Sequence, residues 1–283
     1  MFSKFNSINC RGELLNLENP IVMGILNITP DSFFDGGKYN SQKEWIFQTE
    51  KMLNEGAKII DIGAVSTRPN APEIDEKEEI NRIMPVIKTL IRNFPKAIFS
   101  VDTWRANIAE MAICEGVHII NDISGGTFDK NMFKTIAKHK VPYVLMHTSG
   151  TPKTMQQNPE YKNITNEIIS FFSKQINKMN HLGITDIIID AGFGFGKTID
   201  HNYQLMANLA DFQIFKQPLL VGISRKSMIN KFLNISPDEA LNGTTALHTI
   251  ALLKGAKILR VHDVNEAIEA IKIVDKIKYF DGN

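Results

Sequence analysis

Eight apolar runs in this 283-residue chain each end in a side chain that can hold or move charge. The endings are Asn27, Asp61, Asp102, Asn121 with Asp122, His147, Asp190, Ser224, and Arg260 with His262. Taken singly, each is what any strand shows where it meets solvent. Taken together, amides, carboxylates and cations brought to one place would form a polar ligand site. Three segments add cationic chemistry. "STRP" carries Arg68. "GISRKSMI" sets Lys226 and Ser227 at a helix start, near free backbone N–H groups. "ILRVHD" supplies Arg260 and His262, two residues apart and so on one side of a strand. Cations from three separate segments suit a phosphate or diphosphate; the alternative is a set of solvated surface charges.

These residues need a scaffold that gathers strand ends. The runs "IVMGILN", "KIIDIG", "AIFSVD", "HIIND", "PYVLMH", "DIIID", "LLVGIS" and "KILRVH" are rich in Ile, Val and Leu, as parallel strands buried on both faces are. Amphipathic stretches separate them. Residues 160–182, for example, place Ile164, Ile168, Phe171, Phe172, Gln175, Ile176 and Met179 at helical spacing. Ser41 with Glu44, Asp75 with Glu78, and Ser236-Pro237 with Glu239 read as helix starts. Gly56, Gly116, Gly183 and Gly255 each sit just before a strand and read as helix stops. Eight βα units in this length predict a (β/α)8 TIM barrel of class α/β, with the active site at the C-terminal strand ends. An open doubly wound sheet is the runner-up. No Pro/Gly/Ser-rich linker divides residues 1–283, so the chain reads as one domain.

Composition excludes several function classes. A formal net charge of +1 gives no global field for nucleic acid or anionic lipid. The two cysteines, Cys10 and Cys114, form no CxxC and no His/Cys cluster, which fits a reducing, cytoplasmic setting without structural zinc. No apolar run reaches the roughly 20 residues of a membrane span, and "MFSKFNSINC" lacks a signal-peptide core.

One stretch points elsewhere. "AGFGFGKT", residues 191–198, nearly matches the phosphate loop G-x-x-x-x-G-K-[ST], with Ala191 in the first glycine position. Its unit is sixth of eight, and two phenylalanines occupy a loop that should wrap phosphate with amides. The glycines read better as letting Phe193 or Phe195 project over the rim.

Together "MGILNITPDSFFDGG", "STRP", "SVDT", "IINDISGG", "LMH", "IDAGFGFGK", "GISRKS" and "LRVHDV" resemble the dihydropteroate synthase family, in the family's order, from about residue 8 to 265. The resemblance implies a barrel that joins 7,8-dihydropterin-6-ylmethyl diphosphate to 4-aminobenzoate, giving 7,8-dihydropteroate and diphosphate. It implies that Asp102, Asn121, Met146, Asp190, Lys226 and Arg260 bind the pterin, whose N–H-rich edge suits carboxylates that only accept. Asn27, Arg68, Arg260 and His262 would hold the diphosphate, with Asn27 acting through Mg²⁺. Phe33, Asp35, Thr67, Pro69, Phe195, Lys226 and Ser227 would surround the aminobenzoate. Asp102, Lys226, Arg260 and Asp35 would be the catalytic set. The same resemblance implies a homodimer, small-molecule partners only, and a loop after Asn27 that closes over the reactants and buries Phe33 transiently. Against the family pattern, Ala64-Val65 replaces Gly-Glu, Ala191 replaces Pro, Thr148-Ser149 replaces Met-Gln, and Ala240 replaces Arg. The competing functions are a methyltetrahydrofolate–corrinoid methyltransferase, a non-catalytic pterin-binding paralogue and a phosphate-loop hydrolase.

Overall fold

In the computed structural model, residues 7–28, 38–65, 74–151 and 159–281 are described. The eight apolar runs all become strands: β3 (Ile21–Asn27), β4 (Ile59–Gly63), β5 (Ile98–Asp102), β6 (Ile119–Asp122), β7 (Tyr143–Met146), β8 (Ile187–Asp190), β9 (Leu219–Val221) and β10 (Ile258–Val261). They pair in parallel and close into a barrel, in sequence order with β10 returning to β3. Helices α1 (Lys38–Asn54), α2 (Glu76–Asn93), α3 (Ala106–Glu115), α4 (Met132–His139), α5 (Ile164–His181), α6 (Ile199–Ala207), α7 (Ser227–Leu233) and α8 (Leu241–Leu253) fill the crossovers, and α9 (Val264–Asp281) follows the last strand. This is the (β/α)8 architecture that the alternation predicts, not the open sheet.

The helix boundaries follow local chemistry. All four stop glycines adopt positive φ: 108° at Gly56, 120° at Gly116, 77° at Gly183 and 99° at Gly255. That region favours a residue without Cβ. Asp75 caps α2 by accepting from the Glu78 N–H at 2.8 Å. Two starts differ from expectation. Helix α1 begins at Lys38, ahead of Ser41. Ser236-Pro237 opens a 3₁₀ turn, Asp238–Ala240, before α8; Glu239 accepts from Ser236 N–H and Oγ–H at 2.9 and 2.7 Å.

Strand side chains alternate, and each face has its own core. The outward set, including Val22, Ile60, Phe99, Tyr143, Ile189 and Val221, packs against the helices. The inward set is layered. At the N-terminal end Ile59, Ile98, Ile119, Val144, Ile188, Leu220 and Ile258 fill the barrel with apolar surface. Two residues further along each strand, the same face presents Asp61, Ser100, Asn121, Met146, Asp190, Gly222 and Arg260. The lower barrel is thus a packed hydrocarbon floor and the upper barrel a polar mouth.

A hairpin absent from the sequence expectation closes the floor. β1 (Ser7–Cys10) and β2 (Glu13–Asn16) pair antiparallel around Arg11 and Gly12, with φ of 59° and 97°. Ile8, Cys10, Leu15 and Leu17 join the floor cluster. Polar contacts fix the plug: Arg11 donates to the Ile113 carbonyl at 2.8 Å, and Asn9 N–H donates to Asp186 at 2.8 Å. The signal lay in the alternation Ile8, Cys10, Leu15, Leu17 around Arg11-Gly12, in strands of only four residues.

Candidate active site

The barrel register sets the mouth. Asn27 pairs with Gly63, Gly63 with Asp102, and Asp102 with Asn121; across the barrel, Met146 pairs with Asp190. Gly63 and Gly222 keep it open. A Cβ at Gly63 would lie 3.6 Å from the Asn27 amide oxygen and 3.7 Å from Asp102 Cβ. One at Gly222 would lie 3.8 Å from Arg260 Cβ and 4.0 Å from Asp190 Oδ2. Small residues at these points leave space among the polar groups for a flat ligand.

Arg260 organises one side. Its Nε donates to Asp61 at 2.6 Å and a terminal nitrogen donates to Asp102 at 3.0 Å. Asn121 Nδ2 donates to the same Asp61 oxygen at 2.9 Å. Asp61 is fully buried, and its other oxygen has no partner, nor has the buried Ser100 hydroxyl beside it in register. Burial works against the Arg260 charge, but the Asp61 and Asp102 carboxylates outweigh it and raise its pKa. Burial pushes the Asp102 carboxyl well above the ordinary range. Asp61 and Asp122 add to that, and Arg260 and Lys226 oppose it.

The opposite side is built on the loops after β8 and β9. Asp190 accepts from Gly192 N–H at 2.7 Å; burial raises its pKa against the pull of Lys226. Lys226 stands at the residue before α7, donates to the Phe193 carbonyl, and sits 4.6 Å from the Phe195 ring centroid. Burial lowers its pKa to about 8, Asp190 and Asp102 acting against the shift and Arg260 with it. Of the two loop phenylalanines, Phe193 is fully buried rather than at the rim, and Phe195 is half-buried. Ser227 is the exposed first residue of α7.

His262 is exposed at the rim beyond β10. Its backbone N–H donates to Ser224 Oγ at 3.2 Å, and its Nδ1 lies 3.1 Å from the same oxygen. A bidentate pair then ties the two cationic loops together: Arg225 donates to Asp263 at 2.9 and 2.7 Å.

The structure therefore gathers Asn27, Asp102, Asn121, Met146, Asp190, Phe195, Lys226, Ser227, Arg260 and His262 at one barrel end. Phe33, Asp35, Thr67, Arg68 and Pro69 lie outside the described residues. Sequence reasoning missed Asp61 as a site residue. It was visible as a strand ending, yet its part depends on Arg260 reaching across the barrel, which no local spacing shows. The phosphate-loop alternative meets a direct obstacle. The Lys197 ammonium is buried, 2.9 Å from the Gly192 and Phe195 carbonyls, instead of facing a ligand.

What the mouth offers is acceptors on two sides, donors from Lys226 and Arg260, and an exposed histidine, His262, at the rim. The family described as pterin binding enzyme matches residues 23–262. Dihydropteroate synthase of Escherichia coli (strain K12) is 45% identical over 267 residues, 94% of each chain. Yersinia pestis dihydropteroate synthase, solved with a sulfonamide drug, superposes with a TM-score of 0.90 at 42% identity, covering 96% of this chain and 99% of that one. Xanthomonas albilineans dihydropteroate synthase, solved with 4-aminobenzoic acid, gives 0.90 at 34% identity, covering 98% and 99%.

Proposed function

The chain belongs to the dihydropteroate synthase family of pterin-binding enzymes and is a transferase of folate synthesis, and from that premise we propose how its barrel mouth works. The observation that carries the reading is the convergence of Asp102, Asn121, Asp190, Lys226 and Arg260 over one polar layer of one barrel end. The substrates are 7,8-dihydropterin-6-ylmethyl diphosphate and 4-aminobenzoate. Asp102, Asn121 and Asp190 accept from the pterin amino and ring N–H groups, Lys226 donates to its carbonyl side, and Met146 packs against the ring. Asn27, Arg68, Arg260 and His262 face the diphosphate. Phe33, Asp35, Thr67, Pro69, Phe195, Lys226 and Ser227 enclose the aminobenzoate, where a sulfonamide would compete.

An arylamine is neutral at pH 7 with its lone pair free, so the amine needs no strong base. The difficult step is departure of the diphosphate. As the methylene C–O bond breaks, its electron pair leaves with the diphosphate and the pterin methylene becomes cationic. The amine nitrogen then forms the C–N bond and gives up a proton, which the departed diphosphate or solvent water takes. Arg260, Arg68 and His262 stabilise the growing negative charge, while the Asp102 and Asp190 carboxylates favour the positive one. We read the substitution as dissociative on that basis.

Among the described residues no group of three or more His, Cys, Asp or Glu side chains is placed to hold a metal. One amide oxygen at the mouth, from Asn27, suits Mg²⁺ that arrives on the diphosphate, since Mg²⁺ keeps most of its shell as water and phosphate oxygens. Bound there, it would supply Lewis-acid neutralisation of the leaving group.

Assembly as a homodimer is supported by the exposed apolar residues Ile250 and Leu253 on α8 and Ile273 and Ile277 on the adjoining α9, away from the mouth. Among the described residues no helix is long and apolar enough to cross a membrane, and Cys10 and Cys114 are unpaired; both fit the cytoplasm. The deciding assay mixes the protein with pterin diphosphate, labelled 4-aminobenzoate and Mg²⁺. Labelled dihydropteroate is expected. Turnover of methyltetrahydrofolate or ATP in its place would overturn the reading.

A further inference from the structure

The segment Ala191–Lys197 is wound around its own last side chain. The Lys197 ammonium, 3% exposed, lies 2.9 Å from the Gly192 and Phe195 carbonyl oxygens and 3.3 Å from that of His147. The fourth neighbour is His147 Nδ1 at 3.2 Å. Among the described residues no carboxylate is paired with it at hydrogen-bond distance, and burial lowers its pKa to about 7. An ammonium in so dry a place is costly to keep, which asks what it holds. His147, also buried, is kept neutral by its surroundings, so Nδ1 accepts and the ring proton stays on Nε2. The ring stands edge-on to Phe171 at 5.1 Å.

The loop gripped this way carries the furniture of the mouth. Its Phe193 carbonyl accepts from Lys226, its Phe195 ring lies under the same ammonium, and its Gly192 N–H steadies Asp190. Gly192 runs so close to His147 that a Cβ there would strike the His147 carbonyl oxygen. Remove the ammonium and the Phe195 and His147 carbonyls lose this donor, while the Gly192 carbonyl keeps only the Phe195 N–H at 3.1 Å.

We infer that Lys197 is a positioning residue. By holding the β8–α6 loop closed on His147, it sets where the Phe195 ring stands against the arylamine, without touching either substrate. This rests on the aminobenzoate subsite proposed above. The pterin ligands Asp190 and Lys226, by contrast, are carried by the ladder through β7 and β9 and by the turn after β9, where the Lys226 N–H donates to the Ile223 carbonyl at 3.1 Å, so pterin binding depends less on the loop.

The test compares Lys197→Met, similar in length but uncharged, with the unaltered protein. The expected result is a KM for 4-aminobenzoate raised by about tenfold or more, since small misplacements of a positioned group are expensive in rate and binding. The dissociation constant for pterin diphosphate is expected to change by less than about threefold. A purely structural lysine would lower the melting temperature and the active fraction while leaving both constants alone. That result, or a parallel loss of both affinities, overturns the inference. Should Lys197→Met fail to fold, a second pair decides. His147→Phe removes the Nδ1 acceptor but keeps a ring, and His147→Asn returns an acceptor close to the same point. A raised aminobenzoate KM in the first, restored in the second, supports the inference; equal constants in both overturn it. Failure of the unaltered protein to form dihydropteroate would instead count against the proposed function, so the two are separable.

Discussion

Asp61 shows what a single side chain contributes. Its carboxylate binds Arg260 Nε and Asn121 Nδ2 through one oxygen and is wholly buried. Taking away one member of a buried ion pair strands the other. Asp61→Ala should therefore destabilise the fold by about 3–5 kcal/mol, read by urea unfolding, and lower kcat/KM for pterin diphosphate. Lys226 and Asp102 set a pH dependence. Lys226 gives a charge-assisted donor only when protonated, and its pKa is lowered to about 8; Asp102 gives a charged acceptor only when ionised, and its pKa is raised. The kcat/KM for pterin diphosphate should fall on both sides of neutrality. The alkaline limb should lie near pH 8 and move out of range in Lys226→Arg; the acid limb should lie above the usual carboxylate range. Stability takes the opposite sign. From about pH 7 to 8.5, the lowered pKa values of Lys197 and Lys226 mean that the folded chain binds fewer protons than the unfolded one. At these two groups stability rises with pH while activity declines. Residue types at strand ends were readable from the sequence. Which end reaches which was not, because Arg260 and Asp61 are 199 positions apart.

At the scale of the element, most barrel strands run from hydrocarbon to polar along their inward face, as in Ile59, Asp61 or Ile258, Arg260, while β7 ends in Met146 and β9 leads into Gly222. This gradient is local, and all eight strands and their polar ends were legible for that reason. So were the helix stops, since positive φ selects glycine. The four-residue hairpin strands were not, because so short an alternation is indistinguishable from a loop without its partner surface. Gly222 belongs here too. It lies on a strand end between Arg260 and Asp190, where a methyl would make ordinary contacts of 3.8 to 4.0 Å. Gly222→Ala should fold with a melting temperature within a few degrees of the parent. It should nevertheless raise the KM for pterin diphosphate by about tenfold, because the added carbon occupies space the ligand needs. An unchanged KM would show that the ligand lies elsewhere in the mouth.

For the molecule as a whole, one closed barrel resolves a tension that the sequence leaves open. Eight scattered polar endings become neighbours only if the sheet curls shut, and β10 pairing with β3 does that. The plug at the far end carries a consequence of its own. Cys10 faces the hydrocarbon floor, 1% exposed, with its thiol pushed up to about 12 by burial and by Asp186 and Glu13. Cys114 is exposed. An alkylating reagent acts on thiolates it can reach, so the exposed Cys114 should label while Cys10 stays unmodified in the intact protein. Mass spectrometry over time should find a single adduct first. The second should arrive only as fast as the hairpin lifts away, and sooner once Leu17→Ala loosens its seat. The chain thus carries its own clock for a motion at the end of the barrel opposite to its chemistry, and a nearby hand against which to set it.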